Sequence, residues 1–224
     1  MAELFDTWPE KYDRWFETPI GRLIRGYESD LVLNMLAPEP GETILDAGCG
    51  TGVFSFDILN AGARVIGLEL AFNMLQVAQK RFSGGSFQPI QADMLRLPFG
   101  DQLFDKSVSI TAIEFIEDAQ KAVDELFRVT KPGGTIVVTT LNARSPWAKR
   151  RQQAAQNGHP LFQNIIFRTP EELLHFAPAS GYVETAIHFR KDDDLQTAKQ
   201  IESSNESKGP DTGAFMAASW VKPN

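Results

Sequence analysis

The chain has 224 residues, 42% of them hydrophobic and 23% charged, which is enough to bury a core and rules out wholesale disorder. Its 29 acidic residues outnumber 22 basic ones, and the resulting charge of −7 disfavours a long polyanion, so no nucleic-acid partner is expected. The single cysteine, Cys49, allows no intrachain disulfide, no apolar run reaches the ~18–20 residues of a membrane span, and the first residues show no basic-then-apolar leader, so a cytoplasmic location is expected.

Pro19 to Leu36 reads as an amphipathic helix with Ile20, Leu23, Ile24, Tyr27, Leu31 and Met35 on one face, stopped by Pro38 and Pro40-Gly41. Thr43 to Ala47 is a short buried strand. Gly48-Cys49-Gly50-Thr51-Gly52 is too glycine-rich for a regular element, and a helix is expected from about Val53 to Asn60. Arg64 to Glu69 reads as the second strand, Asn73 to Phe82 as the next helix, Phe87 to Ala92 as a third strand and Phe104 to Ile110 as a fourth. Asp118 to Thr130 is a clear helix with Ala119, Ala122, Val123, Leu126 and Phe127 on one face, ended by Lys131-Pro132-Gly133-Gly134. The β-branched run Thr135 to Leu141 suits a strand covered on both faces. Gly181 to Arg190 and Ala214 to Lys222 read as two further strands. The polar stretch between them, Lys191 to Gly213, has weak helical character, so an antiparallel pairing is expected there. Strands alternating with helices of this length predict right-handed crossovers and a mostly parallel sheet.

The sharpest motif is Leu45-Asp46-Ala47-Gly48-Cys49-Gly50-Thr51-Gly52, between a strand and a helix. Glycines permit positive φ and let a ligand approach the backbone, and free amides at a helix start favour an electron-rich group. Glu69 ends the second strand 69 − 48 = 21 positions after the first glycine, where a carboxylate commonly accepts from ribose hydroxyls. Together they indicate an adenosine-containing ligand. A dinucleotide fingerprint needs glycine at position 53, and valine stands there, which counts against a nicotinamide-dependent oxidoreductase.

The G-x-G-x-G spacing after Asp46 resembles motif I of class I S-adenosylmethionine-dependent methyltransferases. The resemblance continues through Gln91-Ala92-Asp93-Met94-Leu95-Arg96-Leu97-Pro98-Phe99, Phe104-Asp105-Lys106-Ser107-Val108 and Arg128-Val129-Thr130-Lys131-Pro132-Gly133-Gly134, covering roughly residues 41–141 in order. It is nearest the methyltransferase type 11-like, small-molecule and quinone-precursor branch. The resemblance implies an α/β, Rossmann-like, seven-stranded mostly parallel sheet with helices on both faces, an antiparallel last strand and an N-terminal helical lid. It divides the chain into a lid segment, 1–40, and a methyltransferase domain, 41–224, with a substrate-lid insertion at 142–170.

The resemblance also implies cofactor contacts. Gly48, Cys49 and Gly50 are expected against the methionine part, Glu69 on both ribose hydroxyls and Leu70 on the adenine. Asp93 would accept from the adenine amino group, with Ala92, Met94 and Met74 beside the ring. Thr111 and Ala112 would face the sulfonium end, and Tyr12 resembles a tyrosine that many relatives place near the cofactor. Asp46 is expected to order the loop from beneath. Phe115 stands where many relatives carry histidine, which removes a polar group from the substrate mouth. The basic run Arg144, Lys149, Arg150, Arg151 and the scattered His159, His175 and His188 read as solvated or packing residues, and no metal site is expected. The implied activity is methyl transfer from S-adenosylmethionine to a small-molecule acceptor by in-line displacement, giving S-adenosylhomocysteine. No catalytic side chain is assigned, because the cofactor carries the activation. A cofactor-binding module without catalysis, serving another methyltransferase, is the alternative.

Overall fold

The computed structural model of the protein describes residues 5–82, 84–177, 179–206 and 211–224. Its strands are β1 (Thr43–Ala47), β2 (Arg64–Glu69), β3 (Phe87–Gln91), β4 (Lys106–Ser109), β5 (Thr135–Leu141), β6 (Gly181–Ala186) and β7 (Phe215–Val221). They form one sheet in the order β3-β2-β1-β4-β5-β7-β6. The first five pair in parallel, and β7 lies antiparallel between β5 and β6. Around it stand α1 (Pro9–Glu17), α2 (Pro19–Leu36), α3 (Ser55–Asn60), α4 (Phe72–Arg81), α5 (Ala119–Val129), α6 (Pro146–Gln156), α7 (Pro170–Leu174) and α8 (Leu195–Glu206). This is the Rossmann-like architecture that the sequence implies.

Alternation along the strands builds a core on each face. Ile44, Val137, Phe215 and Ala217 turn toward Ile24, Leu31, Val32 and Met35 of α2. Leu45, Ala47, Ile136, Val138, Met216 and Trp220 turn toward Ala119, Ala122, Val123 and Leu126 of α5. The α2 helix keeps its expected bounds: Thr18 Oγ1 caps it by accepting from Gly21 N, and Ala37 leaves it in the left-handed region at φ 46°. Asp118 likewise caps α5 by accepting from Lys121 N.

Four expected elements differ by more than a residue at an end. The fourth strand is shorter, because Phe104 pairs with Thr130 in an isolated bridge before the strand proper begins. Helix α3 starts at Ser55 rather than Val53, since residues 51–54 complete the glycine turn. The sixth strand stops at Ala186, because Ile187 turns at φ 68°. The polar stretch expected to be only weakly helical contains the twelve-residue α8, whose Glu202 is buried and accepts from Ile187 N at 2.6 Å and His188 N at 2.7 Å. Only Ala198 and Ile201 of this helix meet the core beside the buried carboxylate, too short an apolar stripe to make the helix plain in the sequence.

Candidate active site

Strand order reverses between β1 and β4, and in open α/β sheets ligands bind at such a switch, beyond the carboxyl ends of the strands. A chamber of about 940 Å³ lies here. All twelve residues assigned to the cofactor from sequence line it: Tyr12, Gly48, Cys49, Gly50, Glu69, Leu70, Met74, Ala92, Asp93, Met94, Thr111 and Ala112.

The loop after β1 owes its path to its glycines. Gly48 sits at φ 81°, and a Cβ there would stand 2.5 Å from the Ala112 Cβ, so this glycine lets the β1 and β4 loops close on one another. Gly50, at φ 55°, has as its nearest neighbour Met74 Cε, at 3.6 Å from where a Cβ would be. Glu69 reaches across from β2, accepting from Gly50 N at 3.0 Å on one oxygen and from Ala71 N at 2.8 Å on the other. It thus ties the glycine turn to the start of α4, and the carboxylate retains acceptor capacity for a further donor. Burial raises the Glu69 pKa, against the lowering effect of these backbone bonds. Leu70 beside it is 43% exposed on the chamber wall, an apolar surface suited to a flat aromatic ring.

Asp46 lies beneath the loop as expected, with Ser55 Oγ donating to it at 2.5 Å, and burial pushes its pKa up to about 7. Cys49 turns its sulfur down toward Gly67, 3.0 Å from where a Cβ there would be, and burial raises its thiol pKa, so only its backbone suits ligand contact. Asp93 caps its own loop, accepting from Leu95 N at 2.9 Å with one oxygen while lining the chamber. Thr111 stands at φ 47°, an outlier for a β-branched residue, held by a bond from its N–H to Thr139 Oγ1 at 3.0 Å.

The roof comes from two segments that meet. Trp8 approaches His159 with centroids 6.4 Å apart, His159 stacks on Phe162 at 3.9 Å, and Phe5 packs edge-on against Phe115 at 4.8 Å. His159 is therefore a chamber wall rather than a plain surface residue. Asp13 of α1 accepts from Thr51 Oγ1 at 2.7 Å and pairs with Arg81 at 2.6 Å, latching the roof to the glycine loop and α4.

Sequence reasoning missed a buried charged group in the same chamber. Glu28 of α2, 8% exposed, and Glu114, 2% exposed, face Arg151 of α6. Burial pushes Glu28 up to about 8 and Glu114 up to about 7, with Arg151 opposing both shifts. Burial lowers the Arg151 pKa, and its Nη1 is buried with no hydrogen-bond partner among the described residues. Glu114 accepts from Thr140 Oγ1 at 3.3 Å, and Arg168 holds its turn by donating to the Ile113 and Ile116 carbonyls at 3.0 Å each. Tyr12 has Thr111 as its hydrogen-bonding neighbour, and burial raises its pKa. The available signal was position: Glu28 falls four residues after Ile24 and three before Leu31, inside the apolar stripe of its helix.

The glycine turn, the carboxylate closing β2 and the site at the strand-order switch are the features that carry the resemblance to class I S-adenosylmethionine-dependent methyltransferases. Residues 45–138 match the methyltransferase domain family model. The chain is 40% identical over 114 residues to malonyl-[acyl-carrier protein] O-methyltransferase of Serratia marcescens, covering 51% of this chain and 44% of that one. It is 34% identical over 142 residues to demethylmenaquinone methyltransferase of Thermobifida fusca, covering 62% and 59%. The chain thus spans about half the length of the curated relatives it matches. Its fold is similar, with TM-score 0.80, 23% identity and 99% of each chain covered, to a Thermotoga maritima structure described as an S-adenosylmethionine-dependent methyltransferase, possible histamine N-methyltransferase.

Proposed function

We propose that this chain binds S-adenosylmethionine along the wall from Gly48 to Met94 and transfers its methyl group to a small molecule admitted beneath the roof. The observation that carries this is the single chamber: the β1–β4 loops form one wall, and α1 with residues 142–167 forms the other. The residues fit the cofactor. The open side of Gly50 admits a ligand to the backbone, Glu69 keeps acceptor capacity for a ribose, and exposed Leu70 offers a face for adenine. When bound, the cofactor supplies an electrophilic methyl on a sulfonium centre. The chain's own work is then to align the acceptor and exclude water. Thr111 and Ala112 shape the floor where the two halves of the chamber meet, and Tyr12 lies over it from α1. The aromatic walls with few polar anchors suit a small molecule rather than a nucleic-acid groove. A cytoplasmic setting, which keeps Cys49 reduced, belongs to the same reading.

The test is S-adenosylhomocysteine production from S-adenosylmethionine over a panel of small amines, acids, phenols and thiols. Acceptor-dependent production that is lost in Glu69→Ala supports the proposal. Tight S-adenosylhomocysteine binding with no production from any acceptor would support the non-catalytic module instead.

A further inference from the structure

The half of the chamber that the cofactor assignment leaves over is apolar and aromatic, walled by Ile24, Phe54, Trp147 and Phe215. Into it are set two carboxyl groups and one guanidinium, an expensive arrangement for a pocket that only had to hold an apolar acceptor. Glu28 is buried, lines this space and receives no hydrogen bond from any described residue. Its charged surroundings come from every element packed on it: Arg25 on its own helix, Arg151 on α6, Glu114 after β4 and Tyr12 on α1. Arg25 is already engaged, donating to Asp57 and to the Val53 carbonyl, and Arg168, which also acts on Glu114, donates to the Ile113 and Ile116 carbonyls, which leaves Arg151 as the guanidinium inside the chamber beside the two carboxyl groups. Glu28 therefore keeps open acceptor positions toward the chamber. The exposed cations Lys11, Arg150 and Lys191 stand only at the rim.

Resting on the reading of the site as a methyltransferase, we propose that the acceptor is an amine whose nitrogen seats between Glu28 and Glu114, with Glu28 taking the proton that the nitrogen must shed. An ammonium entering this space finds carboxylate oxygens and aromatic faces, which together recognise cationic nitrogen. The step balances. A proton passes from the ammonium to the Glu28 carboxylate, and the freed lone pair forms the new N–C bond. The donor S–C bond breaks with its electron pair left on sulfur, giving a neutral thioether and a methylated ammonium. Arg151 acts as a positioning residue, holding both carboxyl groups apart from full neutralisation while the chamber is empty of amine.

The experiment uses the full chain saturated with S-adenosylhomocysteine and three probes of one shape: benzylamine, phenylacetate and benzyl alcohol, titrated by calorimetry in two buffers of different ionisation enthalpy. Benzylamine is expected to bind at least roughly tenfold more tightly than the other two, with net proton release. Glu28→Gln should remove that release and weaken benzylamine about tenfold or more while S-adenosylhomocysteine affinity stays unchanged. With S-adenosylmethionine, Glu28→Gln should slow benzylamine methylation by roughly a hundredfold or more and aniline less, since its nitrogen carries no extra proton at neutrality. Preference for phenylacetate with proton uptake would overturn the proposal in favour of an anionic acceptor on Arg151. Unchanged amine binding in Glu28→Gln, or no binding of any probe at ~10 mM, would also overturn it. Failure of S-adenosylhomocysteine itself to bind would instead refute the methyltransferase reading beneath it.

Discussion

Glu69→Gln is the most informative single change, because it preserves shape and removes one acceptor. Both Glu69 oxygens are in use, one from Gly50 N at 3.0 Å and one from Ala71 N at 2.8 Å. A glutamine presents one oxygen and one NH2, so whichever way it lies, one backbone N–H meets another donor. The loss is one hydrogen bond to a charged group, about 1.5–3 kcal/mol, plus whatever a ribose would have gained from the second oxygen. Because the Gly50 bond shapes the loop itself, most of that loss should appear in cofactor affinity, roughly a 10- to 100-fold rise in the dissociation constant for S-adenosylhomocysteine. Calorimetry on wild type and variant reads it directly, with thermal unfolding as the control for folding. A variant that melts lower but binds S-adenosylhomocysteine within twofold of wild type would show Glu69 to be only a structural clamp.

Three further outcomes are expected. Glu28, Glu114 and Asp46 all hold protons more tightly in the folded chain than in an unfolded one, with pKa values of about 8, 7 and 7. Between the unfolded carboxylate range and pH 8 the folded state therefore binds more protons, so stability must fall as pH rises through that window. The ligand-free melting temperature should drop by several degrees from pH 5.5 to 8, and less in Glu28→Gln; a flat profile would contradict the burial argument. Asp13→Asn removes the ionic half of the latch to Arg81, a pair that is about a quarter to a third exposed. It should loosen α1 by roughly 1 kcal/mol after allowance for solvent screening, seen as faster amide exchange over residues 9–17 with no change in α5. Ser55→Ala strips Asp46 of the hydroxyl that donates to it and should cost about 1–3 kcal/mol by chemical denaturation.

The parallel half of the fold was legible because its signals are local. The β-branched run from Thr135 to Leu141 and the capped, glycine-stopped helix of α5 can each be read without knowing their neighbours. The cofactor wall was legible for the same reason: a glycine turn and a carboxylate at a fixed offset force a recognisable pattern. What escaped was built from long-range electrostatics. Glu202 anchors α8 by capping a turn fourteen and fifteen residues earlier, and nothing in its own segment announces that. Glu28, Glu114 and Arg151 come from α2, the loop after β4 and α6, and only folding makes them one group. Arg151 read as part of a solvated basic run, yet its Nη1 is buried and its guanidinium lies 5.3 Å over the Trp147 ring. Trp147 walls the chamber but belongs to the core as well. It is a core residue whose indole donates to the Phe189 carbonyl at 2.6 Å, so its alanine variant would test stability first.

The glycine turn, Glu69 and the loops after β3 and β4 are together expected to bind an adenosyl sulfur cofactor. Calorimetric titration of the wild-type chain with S-adenosylhomocysteine, beside NADH, tests it most directly. One saturable site for S-adenosylhomocysteine is expected in the low-micromolar range or somewhat weaker, with no comparable heat from NADH. Absence of binding by folded protein at ~1 mM S-adenosylhomocysteine, or tighter binding of NADH, would contradict it.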